Sequence, residues 1–112
     1  MNNLTIYVND QAVFECDREI AIDEDRLAFL DKMDSDMSRG VKIQGELFSE
    51  PDTEQRARFI VMNLIKALQQ DNQAVIKASS AYLVNRLPTL TEVQVKEVGS
   101  KIEIELVFEQ LN

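Results

Sequence analysis

The chain has 112 residues, 45% of them hydrophobic and 29% charged, with no histidine, one cysteine and a formal net charge of −8. That length suits one domain, residues 1–112, around a single core. The missing His and the lone Cys16 exclude Ser-His-Asp and Cys-His catalysis, imidazole-ligated zinc and thiolate metal clusters.

The charge is uneven: residues 1–50 hold 12 acids and 5 bases, whereas residues 51–112 hold 8 and 7. A field of that sign repels phosphate backbones and anionic lipid, so neither nucleic acid nor a membrane is an expected partner, and a protein with a basic surface is. No apolar run approaches the roughly 20 residues that span a bilayer, and Met1-Asn2-Asn3-Leu4-Thr5 lacks the basic start and apolar core of a signal peptide. A cytoplasmic protein is therefore expected. Cys16 fits a reducing compartment and is expected in the core as a small apolar residue.

In chain order, Leu4 to Val8 alternates, Asn9-Asp10-Gln11 interrupts, and Ala12 to Cys16 alternates again, which is a hairpin signal. A three-residue loop would set Leu4, Ile6 and Val8 opposite Cys16, Phe14 and Ala12; a two-residue loop would bring polar partners onto the apolar face, so the longer loop is expected. A first helix starts at Asp23-Glu24-Asp25, whose charges suit a helix N-terminus. Leu30, Met33, Met37, Val41 and Phe48 then recur at helical spacing, and the phase carries through Gly40, so this helix is predicted to continue to about residue 48. The competing reading breaks it at Gly40 and places a short strand from Val41 to Leu47.

Pro51, Asp52 and Gln55 form a capping-box start for a second helix, whose apolar face is Ala57, Ile60, Val61, Leu64, Ile65 and Leu68. Gln69 to Asn72 is a polar joint. A third helix buries Val75, Ile76, Ser79, Tyr82, Leu83 and Leu87, and Pro88 ends it. A final hairpin turns at Gly99-Ser100, setting Val95 against Ile104, Val93 against Leu106, and Lys96 against Glu103. The expected fold is α+β in the order β-β-α-α-α-β-β, with the two terminal hairpins forming one antiparallel sheet packed on three helices. Its open edges are compatible with a homodimer.

The cluster Asp31, Asp34 and Asp36 is the main candidate for a functional surface. As an EF-hand beginning at Asp34 it fails, because Arg39 stands where the loop needs Gly and Gly45 where it needs Glu. As a helix it presents aspartates outward while Met33 and Met37 turn in. Glu103 and Glu105 lie about 7 Å apart on one strand face but have no cleft, and Arg56 has an ordinary partner in Asp52 at i, i+4. No catalytic, cofactor-binding or metal-ligating residue is assigned, and no cofactor is expected.

The runs "FLDKMDSDMSRG", "PDTEQRARF", "LIKAL" and "YLVNRLP" resemble, as a set, those of a group of small bacterial proteins of uncharacterised function, over about residues 28–88. The resemblance implies a bacterial, cytoplasmic protein and helices around residues 23–48 and 52–87; it carries over no site residue. The function expected is that of a non-enzymatic protein-interaction or regulatory module, with its acidic first helix as the docking face. The alternative is a small carboxylate-dependent or divalent-metal-dependent enzyme.

Overall fold

The computed structural model describes residues 3–19 and 22–109, and among them the elements run β1 (Leu4–Val8), β2 (Gln11–Cys16), α1 (Glu24–Met37), β3 (Val41–Ile43), β4 (Glu46–Phe48), α2 (Thr53–Gln70), α3 (Gln73–Arg86), β5 (Leu90–Val98) and β6 (Lys101–Phe108). They divide into two compact units: the described residues up to 19 together with those from Leu83 onward, and the residues from 22 to Tyr82. The α+β class holds.

The first unit is a four-stranded sheet in the order β2-β1-β5-β6. β5 and β6 pair antiparallel, with Val95 opposite Ile104, Val93 opposite Leu106 and Lys96 opposite Glu103. Gly99, at φ 63, supplies the positive backbone angle that this tight turn needs. The arrangement as one antiparallel sheet is corrected: β1 pairs with β5 in parallel, Ile6 lying beside Val93 and Val8 beside Val95. Apolar side chains on both strands explain the pairing, since β1 is then central and Leu4, Ile6, Val93 and Val95 are each no more than 2% exposed. Cys16 is buried as well.

The first hairpin combines the two registers considered for it. Leu4 faces Cys16 and Ile6 faces Phe14, as the longer loop requires, but Tyr7 faces Ala12 and Val8 faces Gln11, with a shift between Ile6 and Tyr7. Asn9 and Asp10, at φ 52 and 69, make the turn alone. Both residue types tolerate left-handed backbone, and such a turn matches strand twist. Val13 is the extra residue of the resulting bulge and is 46% exposed. Asn9 is further fixed by donating its N–H to the Val95 carbonyl at 2.8 Å and accepting the Glu97 N–H on its Oδ1 at 3.0 Å.

In the second unit, α1 begins where Asp23 accepts the Arg26 N–H and ends at Ser38. The predicted continuation to residue 48 is therefore corrected. Gly40 has φ 117, which no helix accommodates, and Gln44-Gly45, at φ 50 and 85, turn the chain between β3 and β4. Val41 and Ile43 alternate on a strand rather than extending the helical stripe, and β3 lies against α2.

α2 has the expected capping box, with Asp52 accepting the Gln55 N–H and the Gln55 side chain accepting the Asp52 N–H. Its far end closes with Asp71 in the left-handed conformation, φ 54, while Asp71 and Asn72 donate to the carbonyls of Leu68 and Ala67. Asn72 then accepts the Val75 N–H on its side chain and so starts α3. One residue pair thus ends a helix and begins the next.

Replacing Gly40 tests the break after α1. Both Gly40 and Gly45 have a backbone that L side chains rarely adopt, but a Cβ on Gly40 would in addition meet the Phe48 carbonyl oxygen at 3.3 Å, whereas one on Gly45 meets nothing within 4 Å. Gly40→Ala is expected to cost about 1–3 kcal/mol and more than Gly45→Ala, read as a lower urea midpoint at unchanged slope.

Candidate functional site

The three predicted aspartates differ in environment. Asp31 and Asp36 are exposed on α1, but Asp34 keeps only 28% of its side chain accessible. Its Oδ1 accepts Arg56 Nη1 at 3.0 Å and the Tyr82 hydroxyl. Arg56 also donates Nη2 to Ser38 Oγ at 3.0 Å and Nε to the Pro51 carbonyl at 3.2 Å, while Ser38 Oγ donates to the Asp34 carbonyl at 2.8 Å. The guanidinium therefore pairs with Asp34, not with Asp52, whose carboxylate is occupied in the capping box.

This cluster fixes geometry rather than providing reactivity. Burial, and then the hydrogen bond to Asp34 and its charge, push the Tyr82 phenol well above its ordinary pKa, with Arg56 opposing weakly. A phenol held so firmly protonated is neither a base nor a nucleophile near neutral pH. The same contacts orient the helices of the unit. Asp34, near the end of α1, meets Arg56, near the start of α2, and Tyr82, late in α3, and because residues 26–30 of α1 also lie beside residues 74–81 of α3, α1 and α3 run in the same direction.

Toward the starts of α1 and α3, the two parallel helices leave an open groove of about 250 Å³. Arg26, Phe29 and Leu30 line it from α1, and Ala74, Lys77, Ala78 and Ala81 from α3. Phe29 is 51% exposed, while Leu30 is 1% exposed and seats α1 in the core. The floor is apolar, and both charged residues of the lining are cations.

Of the remaining candidates, Glu103 and Glu105, for which the sequence offered no cleft, line a second open pocket of about 240 Å³ with Gln94, Lys96 and Ile104. Glu103 and Glu105 are exposed on β6, Glu103 opposite Lys96 as its register requires. Arg58 pairs with Glu54 at 3.7 Å. Among the described residues no three His, Cys, Asp or Glu side chains gather in a way that could hold a metal ion, and no helix is long and apolar enough to cross a membrane.

Two features escaped sequence reasoning. The Asp34–Arg56–Tyr82 contact joins residues too far apart in the chain for spacing to reveal. The groove had a fainter sign: Phe29 falls off the Leu30–Met33–Met37 stripe, and the alanines at 74, 78 and 81 repeat on one face of α3 without bulk to fill it.

Tyr82→Phe removes one hydrogen bond to a charged group and is expected to cost about 1.5–3 kcal/mol in urea unfolding. An unfolded tyrosine releases its proton near pH 10, whereas the folded Tyr82 holds it to higher pH. Its stabilisation is therefore complete below pH 10 and declines as pH rises further; Tyr82→Phe should flatten that decline. No family model, curated protein or solved structure matches this chain.

Proposed function

We propose that the chain is a non-enzymatic protein-interaction module of the bacterial cytoplasm that docks partners through the surface of α1. The observation supporting this reading most strongly is Phe29, 51% exposed beside an apolar groove. A large aromatic ring left in water next to further apolar surface is typical of a contact awaiting a partner. Asp31 and Asp36, exposed on the same helix, offer an acidic surface for a basic protein. The Asp34 carboxylate is held by Arg56 and Tyr82, which makes it a positioning element of that helix rather than part of the docking surface.

Affinity capture from the native cell at low and high salt tests the proposal, with wild type, Phe29→Ala, and the pair Asp31→Lys with Asp36→Lys. Both sets of changes are at exposed positions and should leave stability within about 1 kcal/mol. At least one captured protein should be lost with one of the two sets; capture indifferent to both would remove the reading. The carboxylate-enzyme alternative is examined by thermal unfolding with Mg²⁺, Mn²⁺ or Ca²⁺. A site loaded at 100 times its Kd gains about 2.7 kcal/mol, and the interaction-module reading expects no such rise.

A further inference from the structure

We infer that the groove between α1 and α3 is the seat of an acidic amphipathic helix belonging to a partner protein; this rests on the interaction-module reading and specifies its ligand. Size is the first argument. At about 250 Å³ and open to solvent, the groove lies below the roughly 300–1,000 Å³ of sites that enclose small ligands. It suits apolar side chains projecting from a body that remains outside.

Shape selects a helix as that body. α1 and α3 run side by side, and a helix laid in the furrow between them packs its ridges into theirs. Ala74, Ala78 and Ala81 recur along α3 at intervals of about one turn, so beside Lys77 the approaching backbone meets only methyl groups on that wall, while Phe29 lines the groove from α1. Apolar residues one turn apart on the incoming helix would fill the furrow.

Charge selects an acidic one. In a chain of net charge −8, the lining holds two cations, Arg26 and Lys77, and no anion. Neither side chain makes a hydrogen bond or ion pair with another described residue. The groove also lies toward the N-termini of two parallel helices, whose dipoles favour negative charge there, and α3 has no acid in its first turn. Asp23, Glu24 and Asp25 stand at the start of α1 but are exposed and outside the lining.

The probe is a short fluorescent synthetic helix with leucines along one face and glutamates along the other, titrated against the full chain by anisotropy. A counterpart with lysine for every glutamate is the control. Binding of the glutamate peptide alone is expected, weakening with salt and perturbing the backbone amide NMR signals of Ala74 and Ala78. Arg26→Glu with Lys77→Glu should weaken it at least tenfold, as should Phe29→Ala, with circular dichroism unchanged.

Absence of glutamate-peptide binding, or binding indifferent to these variants, overturns the inference. So does decanoate binding in the groove where the peptide fails, or self-association of the wild type that Arg26→Glu with Lys77→Glu abolishes. Binding of the lysine peptide that disappears with Asp31→Lys and Asp36→Lys would also overturn it, yet would leave the interaction-module reading standing on the acidic surface.

Discussion

The second unit depends on one carboxylate oxygen. Asp34 Oδ1 accepts from Arg56 and Tyr82 at once, so a single atom of α1 ties both α2 and α3 to it. Most of the unit's stability must come from apolar burial, with Leu30, Val61, Leu64, Ile76 and Met37 all nearly inaccessible. Apolar contact has little directional preference, however, and a three-helix unit can slide or rotate while keeping much of it. The hydrogen bonds to Asp34 discriminate among such packings because each requires a particular donor at a particular turn. The outlay is the desolvation of a carboxylate and a guanidinium, offset by five hydrogen bonds in the cluster.

That clamp also accounts for where the surface opens. It grips α1 and α3 toward their C-terminal ends, where Tyr82 fills the space between them. One to two turns earlier the corresponding positions on α3 are Ala78 and Ala74, and the furrow stays unfilled. A tight end and an open end on the same pair of helices give an exposed aromatic residue a fixed place, so a partner meeting Phe29 would find its site already formed, with less ordering entropy to overcome on binding.

Local chemistry was readable where a residue's own backbone preference decides the outcome. The Asp52–Gln55 box, the polar joint at residues 69–72, the stop before Pro88 and the Gly99 turn all depend on neighbours within a few positions. Gly40 shows how a pattern can mislead: helical phase persists by coincidence through a residue whose backbone angle ends the helix, and the alternation of Val41 with Ile43 was the better guide. The first hairpin shows two correct pairings reconciled by a bulge, an irregularity for which alternation leaves no room. The parallel alliance of β1 with β5 and the gathering of Asp34, Arg56 and Tyr82 join distant parts of the chain. Nothing in local spacing carries that information. The candidate surface was legible only as a charge: Asp31 and Asp36 are where an acidic face would put them, and Asp34 is not.

The pairing of β1 with β5 has a temporal side. β1 precedes the second unit in the sequence and β5 follows it, so everything that forms that unit is made between them. As the chain leaves the ribosome, α1, α2 and the first part of α3 can meet through nearby contacts while β1 and β2 wait as a two-stranded hairpin, a structure of marginal stability alone. Closing so long a loop is slow compared with helix docking. Until β5 arrives, the inner edge of β1 is an unprotected strand edge open to pairing with another chain, and the bulge at Val13 distorts only the opposite strand.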